Sequence, residues 1–290
     1  MTKIAIGAGF LAALDQSGGS TPSALELYGV PKSAYANSDE MFDLMHAFRE
    51  RIITAPAFTG ARILGAILFE QTMDRDVDGM ATPQYLWERR NVVPFVKVDE
   101  GLADLSDGVR LMKPFTKLDG LLERAVKRRV FGTKMRSFVS SADRGGIAAI
   151  VDQQFEYAAR ILDAGLVPIL EPEVDIHSPQ KLDAEVLLKQ GILDRLTSVP
   201  SGQRVMLKLS IPTVDDFYAD LIGHPRVLRV VALSGGYSQQ EADALLARNH
   251  GLIASFSRAL VQDLRRDQSD EDFNRTLDAA IGAIYEASTT

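Results

Sequence analysis

RVMLKLSIP, residues 204–212, is apolar along most of its length, yet it carries Lys208 at its centre. A short apolar run closed by a proline reads as a strand covered on both faces, the kind that a parallel sheet buries. An ammonium group inside such a run is costly unless it is paired or reaches water. Either Lys208 escapes to solvent at the end of the strand, or its burial serves a purpose.

Seven further runs share this character. They are GFLAALD (9–15), RILGAILFE (62–70), VVPFVKVD (92–99), VFGTKMR (130–136), GLVPILEPE (165–173), VLRVVALSGG (227–236) and GLIASFSR (251–258). Amphipathic, charged segments separate them. SDEMFDLMHAFRERI (38–52) places Phe42, Met45, Phe48 and Ile52 at helical spacing behind Ser38 as an N-cap. DQQFEYAARILDAG (152–165) ends on a glycine, a common helix stop, and QQEADALLARN (239–249) reads as another helix. SSADRGG (140–146) reads as a polar loop, and RRDQSDEDFNR (265–275) as a solvated helix start. Eight strands alternating with helices predict an α/β protein, a (β/α)8 TIM barrel occupying residues 1–290 as one domain. The alternative is an open doubly wound sheet.

Composition narrows the function. The chain has 290 residues, 46% hydrophobic and 24% charged, enough for a sizeable core. No apolar run approaches the roughly 20 residues of a membrane helix. The N-terminal segment shows no clear cleavage site and reads as mature protein. With no cysteine, disulfides, thiolate zinc sites and iron–sulfur ligation are excluded, which fits a reducing cytoplasm. A net charge of −7 argues against a general nucleic-acid binder. It leaves room for an anionic small substrate held in a local cationic pocket.

Active-site groups of a barrel sit at the C-terminal strand ends. The polar residues that finish the runs are Asp15, Glu70, Lys97, Lys134 with Arg136, Glu171 with Glu173, Lys208, Ser234 with two glycines, and Arg258. One charge at a strand end is ordinarily the edge of a core. Charges at so many successive ends imply a shared mouth. Glu171 and Glu173 are two apart and so point the same way, as do Lys134 and Arg136. Pro172 lacks an N–H, so a regular strand is expected to end there. LSGG (233–236) lets backbone N–H groups face an anion just before a helix, and loops after the seventh and eighth strands of barrels often bind phosphate.

Lys208 is the candidate for covalent chemistry. A lysine attacks a carbonyl only as the neutral amine, so an ordinary lysine pKa of about 10.4 has to fall. Burial or a nearby cation such as Lys134 would lower it. The resulting imine is an electron sink beside the former carbonyl carbon. A metal would do the same work, but His46, His177, His224 and His250 are not paired at zinc-ligand spacing. His46 and Trp87 read as structural residues on helices.

The motifs DQSGGS (15–20), KVDEG (97–101), GTKMR (132–136), ILEPEVD (169–175), LKLSIP (207–212), LSGG (233–236) and SFSRAL (255–260) together resemble the class I fructose-bisphosphate aldolases, in the order of that family. The likeness is to the shorter bacterial type. The resemblance implies a TIM-barrel lyase of glycolysis and gluconeogenesis, cytoplasmic, homo-oligomeric, without cofactor or metal. Its partner would be a small phosphorylated sugar, not a membrane or a nucleic acid. It implies that Lys208 is the Schiff-base lysine, Glu171 the proton-transfer carboxylate with Glu173 beside it, and Asp15 a partner of the C4 hydroxyl. Lys134 would stabilise charge near the reacting carbons. Ser234, Gly235, Gly236 and Arg258 would hold the C1 phosphate. Ser17, Ser20 and Lys97 would lie near the C6 phosphate, with Arg136 a further substrate contact. The chain departs from the pattern at Gln16, where many relatives carry an acid, and at Ser257, where animal relatives carry glycine. It ends STT where the animal enzymes finish on a tyrosine, and Tyr285 reads as helix packing. Other Schiff-base aldolases or transaldolases, a metal-dependent aldolase and a non-catalytic sugar-phosphate-binding barrel are the competing functions.

Overall fold

The computed structural model describes residues 1–17 and 19–290; Gly18 of the DQSGGS motif lies outside the described residues. Eight strands occupy the eight apolar runs: β1 (Phe10–Leu14), β2 (Ile63–Leu68), β3 (Val93–Lys97), β4 (Gly132–Val139), β5 (Val167–Val174), β6 (Val205–Ser210), β7 (Val227–Leu233) and β8 (Ile253–Ala254). Each pairs in parallel with the next in chain order. The Ala13 N–H donates to the Phe256 carbonyl at 3.4 Å and nearly closes the seam between the β1 and β8 ends. A doubly wound sheet reverses its strand order at a switch point. The sequential order here is that of the (β/α)8 TIM barrel.

Side-chain alternation sorts the strands into two cores. Leu11, Phe95, Ile169, Met206, Val231 and Ile253 form one apolar cluster, the filling of the barrel. Ile4, from the N-terminal helix Thr2–Ile6, joins it. Phe10, Val96, Leu170, Leu207 and Ala254, one residue out of phase, join a larger cluster with Met45, Ile150, Leu188 and Ile281 of the surrounding helices. The rule that makes Met206 face inward also turns Lys208 inward, one layer higher. It does the same for Lys97 above Phe95, Glu171 above Ile169 and Asp15 above Ala13 and Leu11.

Several local expectations are corrected. Helix Ser38–Thr54 is capped by Asn37, whose side chain accepts from the Glu40 N–H, and not by Ser38. Residues 144–146 of SSADRGG are helical; Asp143 caps Gly146 and opens helix Arg144–Asp163. That helix stops before Gly165, whose φ of +80° suits glycine. Pro172 does not end its strand, because β5 continues to Val174 paired with β4. Between β5 and β6, however, the ladder pairs Ile169 with Met206 and Leu170 with Leu207. Beyond them Ser210 Oγ donates to the Val174 carbonyl at 2.7 Å and accepts the Val174 N–H at 2.9 Å, so a side chain replaces the ladder. Trp87, read as a packing residue, is 51% exposed. The final helix, Asp270–Ala287, is capped by Ser269 and buries Phe273, Leu277, Ile281 and Ile284.

Candidate active site

A cavity of about 560 Å³ opens at the C-terminal ends of the strands. Among its lining residues are all the expected site residues except Gly236, which backs Gly235. Five cations (Lys97, Lys134, Arg136, Lys208, Arg258) face four carboxylates (Asp15, Asp99, Glu171, Glu173), so this mouth is mildly cationic in a chain of net charge −7.

The floor is buried and tightly paired. Lys208 is 4% exposed, Glu171 3%, Lys134 4% and Asp15 9%. Lys208 Nζ lies 3.0 Å from Glu171 Oε1. Lys134 Nζ lies 2.7 Å from Glu171 Oε2 and 2.6 Å from Asp15 Oδ2. Burial alone would raise both carboxyl groups; the ammonium groups of Lys134 and Lys208 outweigh it and hold both below the usual carboxylate range, Asp15 far below. Burial alone would lower Lys134; the Asp15 and Glu171 carboxylates outweigh it and hold this ammonium well above the ordinary lysine range. In the resting site Lys134 is therefore a positive charge between two ionised carboxylates.

A second pairing forms one flank. Lys97 Nζ lies 2.6 Å from Asp99 Oδ1, and Asp99 also accepts the backbone N–H of Arg136 at 3.2 Å. Arg136 Nε meets Glu173 Oε2 at 2.5 Å. Burial would lower the Arg136 guanidinium, but its bond and charge interaction with Glu173 raise it. Ser17 and Ser20 close a turn, with the Ser20 and Thr21 N–H groups both donating to the Ser17 carbonyl at 2.8 Å. This turn opens helix Thr21–Tyr28, from which Ser23, Ala24 and Leu27 line the cavity.

The opposite flank carries Ser234, Gly235 and the exposed Arg258. Gly235 and Gly236 have φ of +61° and +127°, and a Cβ on Gly235 would stand 2.7 Å from Ile176. Glycine is needed there for both backbone angle and space. A Cβ on Gly236 would lie 3.8 Å from Arg258 Nη2, so the glycine turn and the guanidinium share one corner. The following helix, Gln239–Leu246, is closed by a Ser238–Glu241 capping box, which leaves the glycine turn itself as the place for anion-facing N–H groups.

Glu70 stands apart from this cluster. It begins the short helix Glu70–Met73, pairs with Arg124 and lines a neighbouring cavity with Lys97 and Lys117. His46 Nε2 meets the Asp76 carbonyl at 2.8 Å, a structural contact. Tyr285 packs against the helical core. Asp99, Ser255 and Arg49 are among the polar residues at or beneath the site that the sequence analysis does not single out. Asp99 follows Lys97 by two residues at a strand end, the signal already used for Glu171 and Glu173. Ser255 lies two beyond Ile253, and its buried Oγ has no partner among the described residues. Arg49, beneath the mouth, falls at i+4 from Met45 and i−3 from Ile52 on the apolar stripe of its helix. Among the described residues, no group of three or more His, Asp or Glu is arranged to hold a metal ion.

A sequential eight-stranded parallel barrel, with its charged residues gathered at one mouth, is the architecture of the (β/α)8 enzymes. The particular family follows from comparison. Residues 2–262 match the family model of fructose-bisphosphate aldolase class-I. The chain is 59% identical to a fructose-bisphosphate aldolase class 1 of Synechocystis sp., over 97% of this chain and 94% of that protein. It is 57% identical to that of Clostridium acetobutylicum, over 100% and 98%, and 56% identical to that of Porphyromonas gingivalis, over 97% and 95%. The chain belongs to the class I fructose-bisphosphate aldolase family.

Solved structures agree on the fold. A fructose-bisphosphate aldolase from Plasmodium falciparum, in complex with TRAP and a small-molecule inhibitor, aligns with a TM-score of 0.74 at 22% identity, covering 98% of this chain and 91% of that one. An archaeal fructose-1,6-bisphosphate aldolase, its catalytic lysine bound to the carbinolamine intermediate, aligns with a TM-score of 0.55 at 11% identity, covering 96% and 94%.

Proposed function

We propose that this chain catalyses the reversible cleavage of fructose 1,6-bisphosphate to dihydroxyacetone phosphate and glyceraldehyde 3-phosphate, through a Schiff base on Lys208. The observation that carries the site assignment is the burial of Lys208 with its Nζ 3.0 Å from Glu171 Oε1. Glu171 is thus within reach of the proton that the amine must lose before it attacks.

The amine adds to the C2 carbonyl to give a carbinolamine, and loss of water leaves an iminium. Glu171 carries protons in both steps, then accepts the C4 hydroxyl proton. Asp15 holds that hydroxyl. The C3–C4 bond breaks, its electron pair enters the iminium to form an enamine, and the aldehyde departs. Protonation at C3 and addition of water release the ketone and regenerate the amine. Lys134 faces the charge that moves through Glu171 and Asp15, while Glu173 orients Arg136. Ser234, Gly235, Gly236 and Arg258 take the C1 phosphate. Ser17, Ser20 and Lys97 take the C6 phosphate, and Arg136 is a further substrate contact. Phosphate contacts remote from the reacting bond orient the substrate between them.

The same reading takes residues 1–290 as one barrel domain, since the last helix packs into the core that the barrel helices share. It places the enzyme in the cytoplasm as a homo-oligomer. No helix among the described residues is long and apolar enough to cross a membrane. The test is a coupled cleavage assay after exhaustive chelation, with fructose 1,6-bisphosphate against fructose 1-phosphate. Full activity and preference for the bisphosphate are expected; loss on chelation would contradict the lysine mechanism, and no turnover would leave a binding protein.

A further inference from the structure

Gln16 ties together the two flanks of the mouth across the barrel seam. It follows Asp15 on the loop after β1, and its Nε2 donates to Ser257 Oγ, on the loop after β8, at 2.7 Å. Beneath it lies Arg49, 1% exposed. Arg49 Nη2 donates to the Gln16 carbonyl at 2.5 Å and to Gln16 Oε1 at 3.4 Å, and Nη1 donates to Thr72 Oγ1 at 2.8 Å. A guanidinium only donates, so it turns the amide oxygen toward itself and the amide nitrogen toward Ser257. Arg49 thereby seats both the backbone and the side chain of Gln16.

The backbone seam at this point is thin. β8 is two residues long, and the Ala13–Phe256 bond measures 3.4 Å. The residues that flank the Gln16–Ser257 bond are those to which the proposed function gives the two phosphates: Ser17 directly after Gln16, with Ser20 three residues further on, and Arg258 directly after Ser257. We propose that Gln16 and Ser257, seated by Arg49, are positioning residues that set the spacing between the two phosphate grips and so favour bisphosphorylated over monophosphorylated ketoses. The inference rests on the proposed function. A ligand with two phosphates needs both grips in register before it binds, and prior ordering removes that cost. A ligand with one phosphate engages one grip and is indifferent to their spacing.

The experiment measures kcat/KM for fructose 1,6-bisphosphate and fructose 1-phosphate with wild type, Gln16→Ala, Ser257→Ala and the double variant. Each single variant should lose about 3–10-fold on the bisphosphate, the size of one hydrogen bond, chiefly through KM, and less on the monophosphate. The double variant should lose no more than the larger single loss, because both changes remove the same bond. Equal losses on the two substrates, or a double loss equal to the product of the single ones, would overturn the clamp. Wild-type turnover of the bisphosphate is measured first on the same preparation. Its absence overturns the functional reading and the clamp with it; its presence with either adverse pattern overturns the clamp alone.

Discussion

Lys134 and Glu171 stand 2.7 Å apart, Nζ to Oε2, on the carboxylate oxygen that does not face Lys208. Glu171 is thus shared by two ammonium groups, and Lys134 is shared by two carboxylates. Lys134→Met would leave Asp15 and Glu171 as neighbouring buried negative charges. Breaking a buried pair in this way costs about 3–5 kcal/mol, which urea unfolding would read. Turnover should fall by at least about 10²-fold, as when a preorganised charge stabiliser is removed. Wild-type stability together with wild-type turnover would show that this charge is dispensable.

The same cluster sets a pH dependence of stability. Asp15 and Glu171 are depressed in the folded state. Their contribution is present above the unfolded carboxyl range of about 3.9–4.3 and is lost as pH falls through the folded values. Lys134 is raised. Its contribution is present below the unfolded value of about 10.4 and is lost as pH rises through the folded one. Unfolding free energy should therefore be insensitive to these groups between about pH 5 and 9 and should decline in acid. In Lys134→Met the depression of both carboxyl groups is relieved while burial still raises them, so the acid decline that they cause should shrink or reverse. An unchanged acid limb in the variant would contradict this pairing.

Glu171→Gln keeps the shape of the side chain and removes its ability to take a proton. Turnover should fall by about 10²–10⁴-fold, the range for a positioned proton-transfer group, while circular dichroism shows the fold retained. A variant that turns over near the wild-type rate would assign the proton transfers to another group.

Arg258 is exposed at the rim and shares a corner with the Ser234–Gly236 turn. Arg258→Ala should weaken binding of fructose 1,6-bisphosphate more than binding of an unphosphorylated ketose, measured by KM or inhibition. Equal weakening of both would remove the phosphate from this corner.

Much of this arrangement was legible in the sequence because a covered strand announces itself by continuous apolar residues, and a barrel mouth by the charges that end them. Period-two alternation carried Lys208, Glu171 and Lys134 to one layer without any long-range information. Asp99 obeys the same rule, but it stands two residues beyond Lys97 in one run, and alternation alone does not say that both charges belong to the site. Arg49 was hidden for a different reason. Its burial is compensated by the Gln16 carbonyl and Thr72 Oγ1, partners 33 and 23 residues away that no local pattern reveals. The cap of helix Ser38–Thr54 slipped by one residue because Asn37 and Ser38 are both good caps, and the choice fell to the bond that Asn37 makes with the Glu40 N–H. Pro172 was expected to end its strand, yet β5 keeps its pairing with β4, and Ser210 bridges the other side. Trp87 sits on the outer face of a helix too short for its periodicity to mark the buried side.

The most direct measurement is chemical trapping at Lys208. Enzyme mixed with dihydroxyacetone phosphate and reduced with borohydride should gain the mass of one reduced ligand per chain, and peptide mapping should place it on Lys208. Unmodified protein, or ligand scattered over surface lysines with Lys208 free, would contradict the account.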